Sequence, residues 1–154
     1  MACLKMALAA LTGRIIPTLE LARGCTEYGG YVVNPDDGSI KGLIYAPFVR
    51  FVGAEFGIAA ETITGITTDD LPAILARSDF FLASVHPAIR WPNEPPPGTG
   101  GHLVLVTEAT ADHIVFHNPS GHDPASQENV SLPPAIFAGF FAGRGVALGQ
   151  RGGG

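Results

Sequence analysis

The stretch Gly101-His102-Leu103-Val104-Leu105-Val106-Thr107-Glu108-Ala109-Thr110-Ala111-Asp112-His113-Ile114-Val115-Phe116-His117-Asn118 decides the fold. Two apolar runs, 102–107 and 113–118, flank the polar segment Glu108–Asp112, the pattern of a β-hairpin. If the hairpin closes symmetrically around residue 110, Asn118 falls directly opposite His102. Opposed side chains on one face have Cβ atoms ~5 Å apart, within hydrogen-bonding reach for His and Asn. Alternation then places His102, Val104, Val106, Ile114, Phe116 and Asn118 on one face, apolar except at its open end. A slip of one residue would put His117 in place of Asn118. A His whose ring is oriented by an Asn or Asp oxygen is the base-and-orienter half of a cysteine-hydrolase site, because the His must accept a thiol proton in a fixed tautomer. The plainer reading is a hydrogen-bonded rim histidine beside an ordinary Asn-Pro turn.

Upstream of the hairpin, Phe80-Phe81-Leu82-Ala83-Ser84-Val85 is a continuous apolar run of strand length and belongs at the centre of a sheet. Between them, residues 87–101 are rich in Pro and Gly and make a long loop fit to border a cleft. Earlier still the helical pattern prevails. Leu4, Leu8 and Leu11 form one stripe over residues 2–12, and Thr18 heads a second short helix through Leu19, Leu21 and Ala22, with Gly24 near its end. Phe48, Val52 and Phe56 form a stripe over 46–56, and Thr68 caps a helix through Leu71, Ile74 and Leu75. Tyr31–Val33 is a short apolar run, Asn34–Gly38 an exposed turn cluster, and Ile58–Ile63 a strand. Downstream, Pro133–Ala142 reads as a helix with Ile136, Phe137, Phe140 and Phe141 inward, Gly145–Leu148 as a last strand, and residues 151–154 as a disordered tail. Helices in the first half and strands in the second predict an α+β fold, with residues 1–150 as one domain.

The bulk composition narrows the function. A chain of 154 residues with 46% hydrophobic and 15% charged residues has the makings of a compact core. Net charge −5 with only nine Lys and Arg leaves no basic stripe for phosphates, so no nucleic acid and no membrane surface is expected as a partner. Two cysteines, Cys3 and Cys25, make neither a disulfide framework nor a zinc site and suit a reducing, cytoplasmic setting. His113 and His117 stand ~13 Å apart along a strand, too far to share an ion, so no metal or cofactor is expected. Oligomeric state is not legible.

Gly101–Thr107 followed by Ile114-Val115-Phe116-His117-Asn118-Pro119 resembles the C39-like, papain-like cysteine peptidases, which show a His opening an apolar strand and Asp-Pro on the next. Asn118 stands at the Asp position. Phe137–Ala147 resembles the family's closing helix and strand, and Ala2-Cys3-Leu4-Lys5-Met6-Ala7-Leu8 resembles the helix after the nucleophile, in the pattern Cys-Gly-x-Ala-Cys-Leu. The resemblance implies a papain-like fold, with an N-terminal helical lobe and a C-terminal antiparallel sheet. It also implies His102 as catalytic base, Asn118 as its orienter, and a peptide or acyl substrate.

Aligned on Ala2-Cys3-Leu4, the pattern puts the nucleophilic Cys two residues ahead of Met1, and the Gln that completes the family's oxyanion hole lies further upstream. The expectation is a peptidase-type domain truncated before its nucleophile and inactive as it stands. Cys3 sits one turn too far along its helix, a displacement of ~5 Å, to replace that residue. The competing expectations are a non-catalytic peptide-binding module and acyl transfer or cyclisation on the same scaffold.

Overall fold

The computed structural model describes residues 1–30, 32–33, 40–41 and 43–150. The turn cluster expected at Asn34–Gly38 and the tail expected at 151–154 lie outside these residues. In chain order the elements are helices α1 (Ala2–Thr12) and α2 (Thr18–Glu27), strands β1 (Val32–Val33) and β2 (Ile40–Lys41), helix α3 (Tyr45–Phe56) and strand β3 (Ala60–Ile63). There follow α4 (Leu71–Arg77), β4 (Phe80–Val85), β5 (His102–Ala109), β6 (Ile114–His117), α5 (Pro124–Gln127), β7 (Val130–Leu132), α6 (Pro134–Ala138) and β8 (Phe141–Leu148). Short 3-10 turns cover Thr68–Asp70 and Pro87–Arg90.

β1 and β2 pair as a small ribbon, and the other strands form one antiparallel sheet in the order β3-β8-β4-β5-β6-β7. β4 is interior, flanked by β8 and β5, and its last five residues are buried, as its unbroken apolar run required. Alternation along β4 and β5 splits the core between the two faces of the sheet. Phe81, Ala83, Val85, Val104, Val106, Ile114 and Phe116 pack with α4 residues Leu71, Ile74 and Leu75 and with Phe137 of α6. Leu82 and Leu105 turn the other way, with Val146 and Leu148, onto Leu4 and Leu8 of α1, Leu21 and Cys25 of α2, and Phe48 and Val52 of α3. Burying a side chain such as Phe137 fully contributes ~2–3 kcal/mol.

Several elements differ from the sequence reading, each for a local reason. α2 has Pro17 and not Thr18 at its N-cap, runs past Gly24 to Glu27, and buries Leu21 and Cys25 while leaving Leu19 exposed. Gly24 is inside the helix because the Phe51 ring approaches to within 2.7 Å of where a Cβ would sit. Thr67, one residue before Thr68, is the cap. Its hydroxyl accepts from Asp69 N–H, and the Asp70 carboxylate accepts from Thr67 N–H. The last helix stops at Ala138, and Phe141 and Ala142 belong to β8. Phe137, Phe140 and Phe141 are buried as expected, whereas Ile136 is exposed.

Candidate active site

The 102–118 hairpin forms, but not by symmetric closure. Leu105 opposes His117 and Val106 opposes Phe116, so pairing is displaced by two residues, and a bulge between Val106 and Glu108 absorbs the remaining length. A displacement of two preserves the face each side chain occupies. Val104, Val106, Ile114 and Phe116 accordingly share one core. Continued in this register, Asn118 would face Val104, and His102 is its diagonal neighbour. Diagonal positions are ~7–8 Å apart, which side chains of this length can bridge.

They do bridge it: His102 Nε2 lies 2.8 Å from Asn118 Oδ1. The same Asn118 oxygen accepts from Ser120 N–H at 3.0 Å, closing an Asx turn. Since an N–H donates to that atom, it is the carbonyl oxygen of the side chain, and its contact with His102 requires Nε2 to carry the proton. Nδ1 is then the unprotonated ring nitrogen. Asn118 is buried, its backbone N–H donates to Gln127 O at 2.8 Å, and its carbonyl accepts from Gly121 N–H at 3.1 Å. Those bonds fix Asn118 from three sides. His102 is set from the other direction: it opens β5 opposite Val85 of β4, directly after Gly100 and Gly101, both in the left-handed region at φ 78° and 97°.

The other four histidines have local partners. His86 Nδ1 accepts from Ala88 N–H and caps the 87–90 turn, and His117 Nδ1 accepts from Asn129 N–H. His113 lies 3.7 Å from the Glu108 carboxylate, and His122 stacks on Trp91 with ring centroids 4.0 Å apart. Among the described residues no group of three or more His, Cys, Asp and Glu could hold a metal ion.

His102 borders a cleft of 640 Å³, a size suited to a small ligand or a few residues of peptide. Met1, Ala2 and Cys3 at the start of α1 line it, as do Tyr45 and Phe48 of α3. The 87–101 loop, expected to border the cleft, reaches its lining through Gly101. The two ends of the loop are drawn together, because Phe140 O accepts from both His86 N–H and Gly100 N–H. Ser84 and Arg144 also line the cleft, and the sequence reading passed over both. The single hydroxyl in the apolar 80–85 run and the Gly-Arg-Gly at 143–145 were the available signals.

Cys3 contributes to the lining but presents no reactive thiol. Its side chain is buried, its Sγ–H donates to Leu103 O at 3.4 Å, and burial pushes its pKa up to about 12. Burial pushes the Cys25 thiol up to about 11. Neither is bridged.

Superposed on solved structures, the chain is similar to the peptidase domain of Streptococcus ComA, a bi-functional ABC transporter involved in a quorum sensing pathway. The TM-score is 0.59 at 13% identity, over 94% of this chain and 85% of that one. The fold is papain-like. No family model and no curated protein matches the chain by sequence. Within the papain-like fold, the N-terminal helices α1–α3 form one lobe and the antiparallel sheet the other, and the His102–Asn118 contact sits where they meet. No helix among the described residues is long and apolar enough to cross a membrane.

Proposed function

We propose that residues 1–150 form a cysteine-peptidase-type domain in which His102 is the catalytic base and Asn118 its orienter. The nucleophile is a cysteine two residues ahead of Met1, and the substrate is a peptide or acyl compound held in the cleft. The observation that carries this reading is the 2.8 Å contact between His102 Nε2 and Asn118 Oδ1 at the wall of a cleft that the first turn of α1 also lines. The peptidase fold of the structural neighbour supports it.

The chemistry follows from the tautomer. With Nε2–H held by Asn118, Nδ1 is free to take the proton of an incoming thiol. The N-terminus of α1 carries a partial positive charge that lowers the pKa of a thiol placed there. Thiolate attack on the substrate carbonyl forms a C–S bond. The imidazolium gives its proton to the departing amine as the C–N bond breaks, and water, deprotonated by Nδ1, releases the acyl group and restores the thiol. Asn118 is neutral and supplies orientation through its dipole, with less stabilisation of imidazolium than a carboxylate would give. The two buried, unbridged cysteines fit a reducing cytoplasm.

One observation favours the second reading, a peptide-binding module without catalysis. Both thiols of the chain are buried and held protonated, so neither supplies the attacking sulfur. Reading the coding DNA upstream of Met1 separates the two. An open frame that continues through Cys-Gly is the expected result, and an in-frame stop directly upstream would remove the catalytic reading. With the nucleophile present, product analysis distinguishes hydrolysis from acyl transfer or cyclisation.

A further inference from the structure

The β4–β8 pairing is interrupted beside the cleft. Ala83 opposes Gly145 and Val85 opposes Phe141, so Ala142, Gly143 and Arg144 together stand opposite the single residue Ser84. An excess of residues on one strand re-aims the side chains at the bulge. Two glycines make this one possible. A Cβ on Gly145 would meet the Leu82 carbonyl oxygen, and Gly143 is left-handed at φ 73°, where a Cβ would come within 2.6 Å of the Ile66 carbonyl oxygen. Arg144, exposed at this bulge of β8, thereby joins the lining of the His102 cleft.

Its surroundings lack a counter-charge. The lining contains no Asp or Glu, and Arg144 is its one side chain of fixed charge among the described residues. Arg144 is exposed and makes no ion pair or hydrogen bond with any described residue, on a chain where 14 acidic residues outnumber nine basic ones. Ser84 adds an independent sign of a ligand. It is 4% exposed, it lines the same cleft, and its hydroxyl has no partner among the described residues. Arg144 Nη2 and Ser84 Oγ lie 3.2 and 3.4 Å from the point where a Cβ on Gly100 would sit, so both groups converge on the backbone two residues before His102. The rest of the lining is largely apolar and includes Leu4, Phe48, Leu82 on the same face of β4 as Ser84, and Leu103 directly across from Ser84 on β5.

We infer that Arg144 and Ser84 form a carboxylate-binding subsite beside His102, selecting apolar peptide substrates that carry an acidic group next to the bond to be cut. The guanidinium offers a planar fork to the carboxylate and the Ser84 hydroxyl donates to one of its oxygens. This rests on the cleft being the peptide site proposed above, but it concerns equilibrium binding and does not require His102 to act as a base. The carboxylate could be a chain terminus or a Glu side chain, and the test treats these separately.

The probes are acetyl-Leu-Leu-Gly as free acid and as amide, and acetyl-Leu-Leu-Glu-amide against acetyl-Leu-Leu-Gln-amide. Each is titrated to 10 mM into the whole chain and followed by amide chemical shifts. At least one acidic member should bind about 5-fold tighter than its neutral counterpart, the upper range for a solvent-accessible ion pair. The preference should fall to about one in Arg144→Gln, survive in part in Arg144→Lys, and shrink in 0.5 M salt. His102→Ala should keep the preference, so loss of the base's role and loss of this subsite give different results. Equal binding within both pairs, a preference unchanged by Arg144→Gln, or no saturable binding of any probe would overturn the inference.

Discussion

His102 Nε2 and Asn118 Oδ1 are 2.8 Å apart although the two residues are not cross-strand partners. The contact spans a diagonal of the β5–β6 pair and is held from the Asn118 side by the Asx turn that buried Asn118 makes with exposed Ser120. Its geometry therefore depends on Asn118 being an acceptor to two donors at once, His102 Nε2–H and Ser120 N–H.

Asn118→Ala removes that acceptor while leaving both donors in place. The expected cost is ~1–3 kcal/mol of stability, measured by urea unfolding at neutral pH. Asn118→Asp keeps an acceptor oxygen of the same reach and should lose much less. Equal losses for Ala and Asp would mean that the Oδ1 contacts contribute nothing.

Cys3 and Cys25 should resist iodoacetamide at pH 8 in the folded chain and react at both positions in 8 M urea. Their folded pKa values, about 12 and about 11, lie above the ordinary thiol value of 9.0. Above pH 9 the unfolded chain releases thiol protons that the folded chain keeps, so the folded state binds more protons and stability falls with rising pH. The contribution of the two buried thiols is complete below pH 9 and declines toward pH 11 to 12. Urea midpoints at pH 7.5 and pH 10 should show the loss, and a Cys3→Ala, Cys25→Ala double variant should show a smaller one. A midpoint that rises at pH 10 would contradict the sign.

Gly145→Ala should separate β8 from β4, because the added methyl meets the Leu82 carbonyl oxygen and comes within 2.7 Å of Phe81 Cζ. Overpacking of this kind costs ~1–3 kcal/mol. Gly53→Ala serves as the comparison: like Gly145 it has no positive φ, but nothing lies closer than 4.0 Å to its Cβ position. The measurement is the difference in urea stability, and an unaffected Gly145→Ala would show that the β4–β8 spacing relaxes freely.

The parts of this fold that were legible in the sequence are those where one period dominates. The apolar run Phe80–Val85 meant a doubly covered strand, and β4 is interior to the sheet. Leu4 and Leu8 lie on the buried stripe of α1, and Phe48 and Val52 on that of α3. His102 and Asn118 were legible as neighbours because a two-residue change of register leaves every side chain on its face, so the face was right although the opposed pairs were not. The bulges were not legible. The one between Val106 and Glu108 changes register without any Gly or Pro to mark it, and the one that brings Arg144 beside Ser84 depends on contacts between β8, β4 and the Ile66 loop. β7 and α5 are three and four residues long, too short for a period to be read.

The most direct test of the central claim is thiol reactivity in a chain extended by Cys-Gly ahead of Met1. At pH 7.5 the added cysteine should be alkylated by iodoacetamide at least 10-fold faster than Cys3 or Cys25, and His102→Ala should slow it at least ~10-fold, since base activation is commonly worth two orders of magnitude or more. Labelling of the added cysteine at the same rate with His102 or Ala at that position would contradict the assignment of His102 as the base.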